Sequence, residues 1–350
     1  MKKNVAVIGY GGQGAWHCRQ ILDSEVVALS GIYDINPKNC EKAKNDDIPV
    51  YESVDAMLSD ASVDIVVVVV PNDYHRELVV KALEAGKHVI CEKPVATTVV
   101  EFDEMASAAN RCGKLFSVHQ NRRWDVDFLA MKGIVQSGEI GELMRIESRI
   151  HGSRGIPSAW GNTKAHGGGM MMDWGVHLID QVMQIFDDDK VVKLHCTTTH
   201  YTTTEVEDGF KLTLYFESGK EAYIEMGTYN FIAMPRFYMQ CKGGTAVITE
   251  WTKKTHVAKM KAWRETDVVP DFVPPLGVIK TMTPRDELTL EEYDIERPFG
   301  DMHDYYRNFC AAIEGNEELI VTLPQVRRVM QIMELSYVSA KDNRVLDVEI

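Results

Sequence analysis

Along the first 120 residues the hydrophobic pattern switches repeatedly between two periods. Residues 5–8 form an unbroken apolar run stopped by glycine, as expected of a strand buried on both faces. Helical spacing follows through Ile21 and Leu22. Residues 26–33 predict a second strand, and Asn36-Pro37 opens a helix with proline where its missing N–H costs nothing. Residues 65–70, one isoleucine and five valines, predict a third strand. Residues 74–85 read as a helix stopped by Gly86, and 88–91 as a strand. Thr98 and Glu101 form a capping box for a helix ending before Gly113, and 115–118 is a further strand. Strand–helix alternation at this spacing predicts α/β crossovers and a doubly wound parallel sheet over residues 1–122.

Beyond that point the texture changes. Residues 141–150 predict a strand and 170–186 a helix. Segments rich in Thr, Val, Tyr and Phe at 191–201, 209–217, 220–229, 236–241 and 245–250 are separated by turn signals. They predict a large, mainly antiparallel sheet in an α+β domain over 123–350. Residues 251–298 read as an insertion, followed by helices at 302–314 and 324–341 and a strand at 345–350. Segments 209–217 and 220–229 carry apolar residues in both phases, which predicts an uncovered apolar sheet face and a homodimer or homotetramer built on it.

Charge narrows the partners. The 350 residues hold 38 Lys and Arg against 52 Asp and Glu, a net charge of −14. Such a chain repels polyanions, so neither nucleic acid nor an anionic membrane is an expected partner. The seven cysteines are scattered and include no C-x-x-C pair, which points to reduced thiols in a cytoplasmic setting. Lys2-Lys3 and the apolar run after them meet glycine too soon to form a signal-peptide core.

Ligands of parallel sheets bind at the carboxyl ends of the strands. The residues just past each run therefore matter most: Gly9, Gly11, Gly12, Gln13 and Gly14, then Asp34, Pro71, Asn72, Glu92, Lys93, Pro94, His119 and Gln120. Gly9–Gly14 fits G-x-G-x-x-G between a buried strand and a helix, and Asp34 lies 20 residues beyond it. Glycines permit the tight turn, the approach of a pyrophosphate and close helix–strand contact. Asp34 would accept from ribose hydroxyls and repel a 2′-phosphate, so NAD is expected over NADP. For Lys93 alone, a solvated lysine and a proton-transfer group are both open. Residues 167–180 begin with three glycines, and Asp173 and His177 are i, i+4. A carboxylate there would fix the imidazole tautomer and raise its basicity, although a surface pair fits the same spacing. No third His or Cys stands at convincing spacing, so no metal is expected.

With Pro71-Asn72-Asp73-Tyr74-His75, Glu92-Lys93-Pro94 and Gly167–Asp180 in that order, the chain resembles the Gfo/Idh/MocA family of NAD(P)-dependent oxidoreductases over essentially its full length. The resemblance implies an N-terminal Rossmann domain and oxidation of sugar, glycoside or inositol hydroxyls. It implies a catalytic Lys93 with Asp173 and His177. It implies cofactor contacts from the Gly9–Gly14 loop, Asp34, Asn72, His75 and Glu92. Asn121-Arg122-Arg123-Trp124 resembles the family's segment at the domain junction, which brings Arg122 to the substrate. From their position between a strand and the 170–186 helix, residues 151–166 should cover the pocket, with Trp160 either stacking on a sugar ring or packing in the domain interface, and Arg154, Asn162, Lys164 and His166 able to reach hydroxyls. An NAD-recycling lyase or glycosidase and a non-catalytic NAD sensor are the alternative readings.

Overall fold

The computed structural model describes residues 1–156, 160–164, 167–261, 271–275, 277–279, 285 and 287–350. The first sheet consists of β1 (Lys3–Ile8), β2 (Val27–Tyr33), β3 (Ile65–Val68), β4 (His88–Cys91) and β5 (Phe116–Val118), all parallel in the order β2-β1-β3-β4-β5. Its strands are mostly apolar because helices cover both faces; Val66, Val67 and Val68 are fully buried. The helices are α1 (Gly12–Leu22), α2 (Pro37–Asn45), α3 (Val54–Ser59), α4 (His75–Glu84) and α5 (Val99–Cys112). Strand order reverses between β1 and β3, so a crevice opens at their carboxyl ends. The valine run leaves the sheet two residues before its predicted end, because Val69 and Val70 turn to line that crevice.

The second sheet has nine strands. Its members are β6 (Leu143–His151), β7 (Val191–Thr199), β8 (Gly209–Phe216), β9 (Glu221–Gly227), β10 (Phe237–Cys241), β11 (Gly244–Ile248), β12 (Thr255–Met260), β15 (Leu290–Ile295) and β16 (Leu346–Asp347). Their order is β15-β12-β11-β10-β6-β9-β8-β7-β16, antiparallel except for β6 beside β9. A small hairpin of β13 (Asp271–Val273) and β14 (Gly277–Ile279) stands apart. The expected insertion at 251–298 therefore contributes the last two strands at one end of the sheet, β12 and the edge strand β15. Their charged residues obscured the alternation, since a strand of an antiparallel sheet needs only one covered face.

One face of this sheet is apolar: Phe210, Leu212, Leu214, Phe216, Ala222 and Ile224 are buried beneath α6 (Val126–Ser137), α7 (Val176–Ile185) and α9 (Leu323–Asp342). The opposite face is not the apolar surface that the sequence suggested. It carries a ladder of ion pairs, Arg145 with Glu147 and Glu221 (both 2.9 Å) and Arg149 with Glu147 and Glu225. Tyr215, Tyr223 and Tyr238 share this face by register, and of the three only Tyr215 is exposed, the other two being half-buried among the charges.

The last helices join the two sheets. On α8 (Asp304–Ile313), Tyr305 and Tyr306 are buried against His119 and His17 of the first domain. Ser117 donates to the Val321 carbonyl, and Arg327 on α9 grips Asp103 at 2.8 and 3.0 Å. Among the described residues, no helix is long and apolar enough to cross a membrane.

Candidate active site

The glycine turn after β1 is shaped by two different demands. A Cβ on Gly9, at φ +99°, would stand 2.0 Å from the Val69 carbonyl oxygen, and one on Gly14 2.0 Å from the Gly9 oxygen. Those glycines let the protein close on itself. A Cβ on Gly11 or Gly12 would meet nothing within 4 Å, although both line the crevice. The open cradle lies at the N-terminus of α1, whose free N–H groups and positive dipole end suit a pyrophosphate. Asp34 is fixed beside it, accepting from the Tyr10 N–H (2.6 Å), the Asn36 N–H (2.7 Å) and the Asn39 amide (2.9 Å). The residues present thus fit a dinucleotide.

Glu92, just beyond β4, is 6% exposed and accepts four hydrogen bonds. They come from Gln13 (3.1 Å), His17 (2.9 Å), His119 (2.8 Å) and the Lys93 N–H (3.0 Å). Burial alone would push the carboxyl up, but His119 and His17 outweigh it and hold it well below the usual range. Burial holds His17 neutral, so its Nε2–H donates to Glu92 while Nδ1 accepts from Tyr306 at 2.7 Å. His17, Glu92 and His119 offer three ligand atoms within 4.8 Å of one another, already joined by direct hydrogen bonds. Sequence spacing could not reveal this hub, because its members lie on different elements.

The triple glycine before α7 has another cause. A Cβ on Gly167 would stand 2.9 Å from Asn72 Nδ2, and one on Gly168 2.5 Å from the Gly161 oxygen. At Gly169, φ +106°, it would stand 2.4 Å from a carboxylate oxygen of Glu207. Glu207 clamps the start of the helix: its carbonyl accepts the Met170 N–H, and its carboxylate accepts the Met171 N–H (2.9 Å) and the Tyr337 hydroxyl (3.0 Å). Burial raises its carboxyl pKa. Glu207 had no motif to betray it.

The predicted helix at 170–186 starts with one π turn, Met171–Gly175, before regular α7 begins. The wider turn takes Asp173 out of simple i, i+4 register. Asp173 faces Lys93 across the crevice: the amine donates to Asp173 Oδ1 at 2.9 Å and to its carbonyl at 3.0 Å. The expected Asp173–His177 hydrogen bond is absent, and His177 Nδ1 is buried without a partner. Burial first, then the Lys93 and Arg122 cations, hold the His177 pKa well below the ordinary imidazole value. Lys93, Asp173 and His177 line one cavity of about 560 Å³ together with Gly11–Gly14, Pro71, Asn72, Glu92, Arg122 and Trp174.

Other expected residues are placed differently. His75 is fully buried with Nε2 2.8 Å from the Val70 carbonyl and Nδ1 3.1 Å from that of Pro94, and it does not line the cavity that holds Lys93. Gln120 is also buried outside the lining, its amide without a hydrogen-bond partner. Arg154 and Asn162 line a separate polar depression with His200, Tyr201 and Tyr229, so the structure does not bring Arg154 to Lys93. The Trp160 side chain and His166 lie outside the described residues. Trp174 and Trp251, which no motif marked, stand 5.5 Å apart edge to face at the cavity wall.

Comparison with known proteins agrees with this architecture. Residues 3–120 match the model of the oxidoreductase family with an NAD-binding Rossmann fold, and 128–247 the GFO/IDH/MocA C-terminal domain. A solved NAD-binding protein from Listeria innocua is 38% identical, with a TM-score of 0.95 over 99% of both chains. The scyllo-inositol 2-dehydrogenase (NADP(+)) IolW of Bacillus subtilis is 27% identical over 99% of this chain and 96% of its own length. The D-glucoside 3-dehydrogenase of Escherichia coli is 30% identical over 63% of this chain and 69% of its own. Against an uncharacterized oxidoreductase of Schizosaccharomyces pombe, 39% identical, the chain spans about half of that protein, 47%. The chain belongs to the Gfo/Idh/MocA family of oxidoreductases, with an NAD-binding Rossmann domain in its first half.

Proposed function

We propose that the protein is an NAD-dependent dehydrogenase that oxidises a secondary hydroxyl of a sugar, glycoside or inositol to a ketone. The observation that carries this reading is the 2.9 Å contact between Lys93 of the first domain and Asp173 of the second, in the cavity lined by the glycine loop and His177. The names of the inositol and glucoside dehydrogenases among its relatives support it.

The Gly9–Gly14 loop and Asp34 would hold a dinucleotide, whose nicotinamide would supply the hydride acceptor for the carbinol carbon. His177, held neutral, takes the hydroxyl proton. An ammonium has three N–H donors, and Asp173 occupies two of those on Lys93, leaving one for the developing alkoxide. Asp173 orients Lys93 rather than the imidazole. Asp34 presents its carboxylate where a 2′-phosphate would sit, so NAD is preferred, in contrast to the NADP(+) in IolW's name. A several-fold native preference for NADP would overturn that point.

Association of copies through the C-terminal sheet rests on the resemblance alone, because the open face is charged. Exposed large hydrophobics are scattered instead, among them Phe231 (75%) and Ile232 (88%). Light scattering against the 39.5 kDa monomer decides it.

The test is NADH formation across inositols, hexoses and aryl glycosides. Lys93→Ala should lower turnover by about 10²–10⁴-fold with NAD affinity nearly unchanged. Glycoside cleavage without NADH accumulation would replace this reading with the NAD-recycling one.

A further inference from the structure

Two features of the cavity wall go beyond the reaction. The first is charge. Among the described lining residues the cations are Lys93 and Arg122, and each already faces a carboxylate: Asp173 at 2.9 Å and Asp125 at 3.0 Å. Glu92 adds a further buried carboxylate to the same lining. Away from the α1 N-terminus that suits the pyrophosphate, a phosphate on the substrate would find no unmatched cation among the described lining residues, and desolvating it without one is costly. Hydroxyl groups fare differently. The carboxylates accept from them, while Arg122 has five N–H donors and spends one on Asp125.

The second feature is aromatic. Trp174 lines the cavity with its ring centroid 6.0 Å from that of His177. Trp251 stands behind it edge to face at 5.5 Å, carried by the turn between β11 and β12. The Arg122 guanidinium lies 4.3 Å from the Trp174 ring centroid and 5.2 Å from that of Trp251. Cation–π contacts of this kind hold the guanidinium in place. Trp251 remains 41% exposed, so the core does not account for an indole at this turn.

We propose that the cavity takes an uncharged ring polyol, an unphosphorylated sugar, glycoside or cyclitol, whose C–H face lies on Trp174 with Trp251 as the buttress that sets its position. The proposal rests on the dehydrogenase reading and narrows its substrate. Trp251 acts through Trp174 and Arg122, as a specificity-determining residue outside every family motif.

The test compares matched pairs, glucose with glucose 6-phosphate and myo-inositol with its 1-phosphate, by NADH formation at saturating NAD. The neutral member of at least one pair should have a kcat/KM about tenfold or more above its phosphate ester. Trp251→Ala should raise KM for that polyol about tenfold with kcat changed less than about threefold, and Trp251→Phe should restore most of the loss. Asp125→Asn, which frees the Arg122 charge, should narrow the discrimination. Preference of the native enzyme for the phosphate ester, or an unchanged KM in Trp251→Ala, would overturn the proposal. If no compound yields NADH, the dehydrogenase reading fails, and tryptophan-fluorescence titration of the NAD-loaded protein with the same pairs still decides this one. Saturable quenching by the neutral members alone supports it; binding of the phosphate esters as tightly, or of no member, overturns it.

Discussion

The molecule has two glycine-rich turns at its cleft, one in each domain, and they do opposite things. At Gly11 and Gly12 an added Cβ would meet nothing within 4 Å, whereas at Gly167, Gly168 and Gly169 it would run into Asn72, Gly161 and Glu207 at 2.9, 2.5 and 2.4 Å. The first turn keeps side chains out so that a ligand can enter. The second keeps them out so that the protein can fill the space, bringing the loop against Asn72 and seating the Glu207 carboxylate under the π turn that carries Asp173. A glycine run thus marks close approach without saying what approaches.

The largest expected effect is at the filled turn. Gly169→Ala puts a Cβ against Glu207 at a backbone φ of +106°. Overpacking and strain together should cost about 2–4 kcal/mol, read as a lowered melting temperature, and turnover should fall with it. Removing the obstacle sharpens the point: Gly169→Ala placed in Glu207→Ala should cost less than in the native chain.

Glu207→Ala by itself strands the Met171 N–H and the Tyr337 hydroxyl, a loss of about 1–3 kcal/mol. Glu207→Gln keeps an acceptor oxygen and should recover most of the stability. If Gln behaves like Ala, the negative charge rather than the hydrogen bonds does the clamping.

At the open turn, Gly11→Ala should leave the melting temperature of the cofactor-free protein unchanged, yet weaken NAD by about tenfold, or 1.4 kcal/mol. Calorimetric titration measures the second and thermal unfolding the first. Native-like NAD affinity would show that the pyrophosphate lies elsewhere.

The smallest effect separates the two sides of the cleft by pH. His177 must be neutral to accept a proton, and its pKa is depressed, so it stays neutral as pH falls below the ordinary value of 6.5. The acid limb of kcat for alcohol oxidation should therefore lie below that value. His17 and His75 on the first-domain side are also held neutral by burial. As pH drops below 6.5 the unfolded chain takes up protons that these folded imidazoles refuse, so stability should decline there as well. Measuring kcat and unfolding free energy on the same pH series tells the two losses apart.

What was legible in the sequence followed how completely an element is buried. The valine run of β3 has no alternative to a central strand, and Gly9–Gly14 with Asp34 needs only local geometry to be read. The outer strands β12 and β15 were hidden because a strand covered on one face tolerates charge on the other. The Asp173–His177 contact was expected from helical spacing, and the π turn undid it. Trp174, Trp251, Glu207 and the His17–Glu92–His119 hub carry no signal in a single sequence, since each is defined by partners far along the chain.

The sequence alone pointed to the family, to a sheet-and-helix first part followed by a large second sheet, to the glycine cradle with its acidic companion, and to Lys93, Asp173 and His177, which the structure brings to one cavity. These depend on residue types at short spacing, where backbone geometry leaves few options. Only the tertiary structure decided that Asp173 pairs with Lys93, that His75 and Gln120 stay out of the lining, that Arg154 lies on a separate depression, and that the open sheet face is charged. Each of those outcomes depends on packing between distant segments, where burial energy chooses among partners that local sequence leaves equally available.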